Sequence, residues 1–453
     1  MTSAAEWKEK ESQYYIHTFN RQPMVIERGE GVRVWDTEGK EYLDFTAGLA
    51  VNNLGHCHPA VTEAIQQQAA TLMQTSNLFY TIPQLELAEA LVENSCMDKV
   101  FFSNSGVEAN EGAVKLARKY GRLHRNGAQD IITVLNSFHG RTLGMIAATG
   151  QPAYQQAWLP LAEGYTNVPY EDLDAIREAT TDQTCAIMVE VLQGEGGVNV
   201  PTEGYLKGLR EWCDENNILL IFDEVQTGMG RLGSLWGYER FDVEPDVMTS
   251  AKGLGNGVPI GAFMCKDSCD VLEPGDHGST FGGNVLTTAA GNATVRYMVE
   301  NDIPGHARKM GEYLESKLEE MRAARPDVVK GPDEESLDAV KERMLGSGAE
   351  SAQIVQGQDA LAEAGLKVVQ SQARYEGGYW NTTGIARPIT VSAMLPEIEA
   401  QDIGVLFHGA TGRGNDQVRF QLAANTLQPS LHVYAPWRDP EFVQQFPRQA
   451  ADA

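Results

Sequence analysis

The run Ile218-Leu-Leu-Ile-Phe222 constrains the fold more than any other stretch of the chain. It is apolar throughout and ends abruptly in Asp223-Glu224. A strand with one wet face would alternate apolar and polar residues, whereas a continuous run must be covered on both faces, as an inner parallel strand is. Strand-like runs recur at Val100–Phe102, Ile131–Leu135, Gly144–Ala148, Cys185–Val191, Asp246–Ser250 and Gly261–Cys265. Helical spacing separates most of them. It also marks Pro59–Ala70 and Pro83–Asn94 before the sheet, and Thr287–Glu300 and Ile303–Arg325 after it. The pattern predicts an α/β fold with a mostly parallel sheet wrapped by helices. Ligands bind at the carboxyl ends of such strands, which places Asp223 at a candidate site.

Two further stretches sharpen that site. Asp246-Val-Met-Thr-Ser-Ala-Lys252 is a short apolar strand followed by one lysine and a glycine-rich turn. An amine held there can condense with an aldehyde, and a carboxylate such as Asp223 can pair with a protonated pyridine nitrogen. In Phe101–Lys115 a strand passes through Ser105-Gly106 into a helical pattern. The free N–H groups and positive dipole end of that helix suit a phosphate.

These stretches resemble the class III pyridoxal-phosphate aminotransferases, and among them the enzymes that act on acetylornithine. The resemblance rests on Leu54-Gly-His-Cys-His-Pro59, Asn104-Ser-Gly-Val-Glu-Ala-Asn110, Ser137-Phe-His-Gly-Arg-Thr142, Gln193-Gly-Glu-Gly-Gly197, Phe222–Arg231, Lys252 and Ser279-Thr-Phe-Gly-Gly-Asn284, in the family's order over residues 10 to 330. It implies a fold-type I large domain, pyridoxal phosphate as cofactor, and transamination of N2-acetylornithine with 2-oxoglutarate in arginine biosynthesis. By resemblance Lys252 would carry the cofactor and then act as base, while Asp223 would hold the ring nitrogen protonated. Gln226 would contact the phenolic oxygen, Phe138 would stack on the ring, and Ser105, Gly106 and Val107 would hold the phosphate. Thr280 would reach the phosphate of a second subunit, which implies a homodimer. Arg141 and Ser279 would bind substrate, and Glu195 would change position between amino donors.

The family continues into a small C-terminal domain with a second carboxylate-binding arginine. Near Gly331 this chain turns elsewhere. Tyr375–Pro388, His408–Phe420 and Val433–Phe442 resemble argininosuccinate synthase, across residues 332 to 449. That resemblance implies a truncated α/β nucleotide-binding-like fragment over 331–453, beside an aminotransferase part over 1–330. By it Tyr379, Thr383, Asn415 and Arg419 would touch citrulline, Thr411, Asn415 and Asp416 aspartate, and Gly409 the nucleotide. The synthase family's Ser-Gly-Gly-Leu-Asp-Thr-Ser phosphate loop is missing from the sequence, and Gln421 stands where glutamate is usual. Three readings stay open: a working transaminase, an argininosuccinate-forming ligase, and a non-catalytic fusion product.

A chain of 453 residues is expected to form two or more domains. Its net charge of −26 and lack of a basic stripe argue against nucleic-acid binding. No apolar run is long enough for a bilayer, and the first residues lack the core of a signal peptide, so the sequence predicts a cytoplasmic enzyme. His56 and His58 have no third ligand at metal spacing, and no metal site is expected. The six cysteines, none in a Cys-x-x-Cys pair, read as reduced thiols. Residues 1–30, with Tyr14 and Tyr15, read as an arm that packs on a partner or on the core.

Overall fold

The computed structural model describes residues 3–324, 382–400, 403–407 and 415–434. The chain divides into two units, Met1–Glu320 and Met321–Ala453.

In the first unit a seven-stranded sheet carries the fold. Its strands are β4 (Lys99–Ser103), β5 (Asp130–Val134), β6 (Tyr165–Val168), β7 (Thr184–Val189), β8 (Leu219–Asp223), β9 (Val247–Ser250) and β10 (Gly261–Cys265), in the spatial order β4-β10-β9-β8-β7-β5-β6. The pairs from β9 through β6 are parallel, and β10 runs antiparallel to both β9 and β4. Every residue of β7, β8, β9 and β10 is buried, as continuous apolar runs require.

Successive residues of these strands feed opposite faces. Leu220 and Phe222 join one apolar cluster, which the helix Tyr205–Asn216 enters with Leu206, Leu209 and Cys213. Leu219 and Ile221 join the other, against Ala113, Val114, Leu116 and Ala117 of the helix Gly106–His124. Each fully buried large side chain contributes about 1.5–3 kcal/mol. The pleat thus fixes the register of β8 and with it the position of Asp223.

A smaller antiparallel sheet, β1 (Ile26–Glu30), β2 (Arg33–Asp36) and β3 (Glu41–Leu43), precedes this. Its β2–β3 hairpin encloses a turn at Thr37–Lys40, where the sequence Thr-Glu-Gly-Lys between two strand-like runs also reads as one. The helix Ala4–Tyr14 is capped by Ser3 and Glu6 but buries none of its residues. The arm therefore does not bury this helix in its own core; Tyr14, Tyr15, Ile16 and Phe19 are exposed.

One strand expectation fails. Gly144–Ala148 lies in the helix Leu143–Ala148, started by the Thr142 hydroxyl accepting from the Met145 N–H. A short apolar run has no period that separates a buried strand from a buried helical turn, and the cap decided the matter. Strand β6, at the sheet edge, escaped the sequence reading.

In the second unit β11 (Val405–Phe407) and β12 (His432–Tyr434) pair in parallel, joined through the helix Asn415–Leu427. Val391 and Ile398 of the helix Thr382–Ala400 share a core with Leu406, Ala424 and Val433. The stretch from Pro332 to Arg343, which reads in sequence as a helix with a proline at its start, lies outside the described residues. No helix among the described residues is long and apolar enough to cross a membrane.

Candidate active site

The carboxyl ends of β4, β7, β8 and β9 and the start of β10 meet at one edge of the sheet. There they border a cavity of about 510 Å3. Nine expected site residues line it: Ser105, Gly106, Val107, Phe138, Arg141, Glu195, Asp223, Gln226 and Lys252.

Asp223 closes β8 and is 3% exposed. Its Oδ2 accepts from Asn110 Nδ2 and from His139 Nδ1, each at 2.8 Å. Its Oδ1 accepts from the Val225 N–H at 3.0 Å. Burial acts to raise this carboxyl, but the His139 hydrogen bond and charge, with the Val225 and Asn110 donors, outweigh it and hold it below the usual range. Glu190, just past β7, has the opposite fate. It is 5% exposed, and its Oε2 has no hydrogen-bond partner. Burial, then the neighbouring Asp223, pushes it well above the usual range. The surroundings thus favour the anion at one carboxyl and the acid at the other.

Lys252 follows β9 in the short helical turn Lys252–Leu254, with φ +42°, in the left-handed region where side chains are strained. Burial lowers its ammonium pKa against the opposing pull of Asp223 and Glu190. At the other end Ser105 caps the helix Gly106–His124 by accepting from the Glu108 N–H at 3.3 Å. The first-turn N–H groups of Gly106 and Val107 lie beyond the reach of intrahelical bonding. A Cβ on Gly106 would sit 2.8 Å from Val225 Cγ1, and one on Gly261 would collide with the Ser105 carbonyl. Small residues thus let β8, β10 and the helix start close on the cavity. A Cβ on Gly194 would likewise strike the Gln226 amide, so the Gln193–Gly197 loop lies hard against that side chain.

At the rim Arg141 lies over the Tyr154 ring, 3.8 Å from its centroid. Glu195 accepts from the Tyr154 hydroxyl at 2.7 Å and from Gln151 Nε2 at 2.5 Å. Ser279 and Thr280 are not in the cavity. Ser279 Oγ accepts from Asn104 Nδ2 at 3.2 Å and from the Gly282 N–H at 2.9 Å. Thr280 is exposed, its carbonyl accepting from Gln74 Nε2 at 2.6 Å.

These residues fit pyridoxal phosphate. The cavity offers donors for an anion at a helix start, an ionised carboxylate tied to a histidine, and a half-buried amine. Among its lining atoms Asn110 Oδ1, His139 Nε2 and Glu190 Oε2 are buried without partners. Among the described residues no three His, Cys, Asp or Glu side chains form a metal cluster. His56 pairs with Asp44 at 2.7 Å, and His58 meets the Tyr297 ring edge-on.

Tyr379, Gly409 and Thr411 of the synthase-like segment lie outside the described residues. Thr383, Asn415, Asp416 and Arg419 fall in helices, but their side chains lie outside them too. The sequence reading assigned no role to His139, Asn110, Glu190, Tyr154 or Gln151. Glu190 carried a usable signal, since it interrupts the apolar run Cys185–Val191 at its carboxyl end as Asp223 ends its own.

Residues 15–331 match the family described as Aminotransferase class-III, and residues 312–448 match the Arginosuccinate synthase N-terminal HUP domain. An acetylornithine aminotransferase of Caldanaerobacter subterraneus subsp. tengcongensis is 53% identical over 313 residues, covering 69% of this chain and 80% of that relative. One of Methanocaldococcus jannaschii is 51% identical over 322 residues, covering 70% and 81%. Among solved structures, acetylornithine aminotransferase from Elizabethkingia anophelis superposes with a TM-score of 0.63 at 35% identity, over 72% of this chain and 80% of that one. Ornithine aminotransferase from Toxoplasma gondii does so with a TM-score of 0.69 at 34% identity, over 74% and 79%.

Proposed function

The chain belongs to the class-III aminotransferases, and from that premise we propose that it moves the amino group of N2-acetylornithine to 2-oxoglutarate with pyridoxal phosphate as cofactor. The observation that carries this is one cavity holding Lys252, the Asp223–His139 pair and the first turn of the helix Gly106–His124. Relatives about half identical and named acetylornithine aminotransferase support the substrate and a place in arginine biosynthesis.

When bound, the cofactor supplies an aldehyde and an electron-accepting ring. Gly106 and Val107 hold its phosphate on backbone N–H groups, and Gln226 and Phe138 fix its ring. Asp223, held ionised, keeps a proton on the pyridine nitrogen. Lys252, its ammonium destabilised by burial, would provide a neutral amine that takes the proton from the substrate carbon and delivers it to the cofactor side rather than back to that carbon. Arg141 forks onto a substrate carboxylate. Thr280 and Ser279 act across a homodimer interface, a reading supported by exposed Leu78, Phe79, Tyr80 and Phe281 near that loop in sequence or space.

Residues 1–330 form the aminotransferase part and 331–453 the synthase-like part in this reading. The aminotransferase match ends at residue 331, and about a fifth of the Caldanaerobacter relative lies outside its match to this chain. By the family resemblance a C-terminal segment carries a second arginine for a dicarboxylate, and without it glutamate would lose a charged hydrogen bond worth about 1.5–3 kcal/mol. Amino transfer from acetylornithine, followed through the cofactor's absorbance, tests the main claim, and no transfer at any concentration overturns it. The half-reaction with glutamate, compared with a variant carrying a complete family C-terminal domain, tests the second. That variant is expected to be about ten- to a hundredfold faster, and equal rates refute the impairment.

A further inference from the structure

Arg141 and Glu195 line the same cavity with opposite charges, yet they do not pair. Left unrestrained, a guanidinium and a carboxylate lining one cavity attract, and a bidentate pair would occupy the fork of the arginine. Tyr154 stands between the two fates. Its ring takes the Arg141 guanidinium at 3.8 Å from the centroid, and its hydroxyl donates to Glu195 Oε1 at 2.7 Å. The other carboxylate oxygen accepts from Gln151 Nε2 at 2.5 Å, and that same nitrogen donates to the Ser137 carbonyl at 3.0 Å. Both oxygens of Glu195 are thus met by neutral donors on one short segment. Arg141 rests on an aromatic face, and among the described residues it forms no ion pair.

We propose that Tyr154 is a positioning residue that parks Glu195 away from Arg141 and so keeps the arginine open for a substrate carboxylate. This rests on the reading of Arg141 as the carboxylate-binding group. The hydroxyl acts as a donor in this arrangement; the bond to Glu195 raises its pKa, against the opposing pull of the nearby Arg141. The ring and the hydroxyl have separable tasks. The ring stacks on the guanidinium, while the hydroxyl holds the competing carboxylate. Losing the hydroxyl alone frees Glu195 to compete, whereas losing the carboxylate's charge as well removes the competitor.

The test is calorimetric titration of the full chain with glutarate, beside steady-state kinetics with acetylornithine. Tyr154→Phe keeps the ring and is expected to bind glutarate about tenfold more weakly, the factor a hydrogen bond to a charged group commonly carries. It raises KM with little change in kcat. Adding Glu195→Gln to Tyr154→Phe restores binding to near the wild-type level, which a merely structural role of the hydroxyl would not allow. Tyr154→Phe binding as tightly as wild type overturns the proposal, as does a double variant left as weak as the single one. Arg141→Gln separates the premise: if it binds glutarate like wild type, or if wild type binds none, the carboxylate reading of Arg141 fails first.

Discussion

Gly106→Ala probes how closely the phosphate end of the site is packed. Gly106 is the first residue of the helix, with a helical backbone that any residue accepts, so alanine there brings no strain in φ and gains up to about 1 kcal/mol in helix propensity. The cost is in space. The added Cβ would lie 2.8 Å and 3.1 Å from the two γ carbons of Val225, where ordinary contact begins at 3.4 Å. Both methyls of a stiff β-branched side chain are struck, so one rotation does not relieve them. The helix start or the Asp223–Gln226 turn must move by about half an ångström, and overpacking of this kind costs about 1–3 kcal/mol. If that cost falls on the cofactor-bound state, affinity drops about five- to a hundredfold. The assay is titration of the cofactor-free chain with pyridoxal phosphate, read by absorbance, for Gly106→Ala, Val225→Ala and the double variant. The penalty of Gly106→Ala should shrink in the Val225→Ala background, because the clash is with that side chain. Additive penalties, or an unchanged affinity in the single variant, refute the steric argument.

Lys252→Ala should abolish the absorbance of the bound cofactor; a full band in the variant means that another lysine carries it. Light scattering of the cofactor-loaded chain should give a dimer, and a monomer with tight cofactor binding counts against the role given to Thr280. Glu224 is fully buried, accepting from Thr227 Oγ1 at 2.6 Å and from the N–H groups of Gly237 and Tyr238 at 2.8 and 2.6 Å. Glu224→Gln turns an amide donor onto at least one of these donors and should destabilise the first unit by about 2–4 kcal/mol in denaturant melts. Burial raises this carboxyl to about 7 from an ordinary value near 4.5, so the folded chain binds its proton more tightly than the unfolded one. Its contribution is therefore full below about pH 4.5 and is lost as pH rises through about 7. The stability gap between wild type and Glu224→Gln should narrow over that window, and a constant gap would show that Glu224 does not titrate there.

The sheet could be read from sequence because burial on both faces leaves an unbroken apolar run, and every residue of β7 and β8 obeys it. Strand β6 lacks that mark: its burial is partial, and Thr166 and Asn167 break the run. Leu143–Ala148 misled for the opposite reason, being wholly apolar from Met145 onward and too short to display a period. Nine residues expected at the site line one cavity: Ser105, Gly106 and Val107 open a helix, Asp223 closes β8 and Lys252 follows β9, as local pattern marks, whereas Phe138, Arg141, Glu195 and Gln226 lie in loops and were marked only by the family resemblance. His139, Tyr154 and Gln151 act through partners 84, 41 and 44 residues away, and no local pattern carries such a pairing. Ser279 and Thr280 differ again, since their proposed task involves a second copy of the chain.

The antiparallel strand β10 has a bearing on how the polypeptide comes together in time. It sets Gly261 opposite Ser103, so the loop that carries Ser105 acquires its neighbour only through a contact spanning about 160 residues. Closing so long a loop is entropically costly and slow compared with forming the helices along the way. While the chain is being made, a nascent segment that ends before β10 holds β4 without its sheet partner. The anion cradle at Gly106 and the amine at Lys252 can both have emerged from the ribosome by then, and still not belong to one site. On the proposed reading, cofactor capture would therefore be a late event in biogenesis, set by the arrival of five residues, Gly261–Cys265, that make no expected contact with the cofactor themselves.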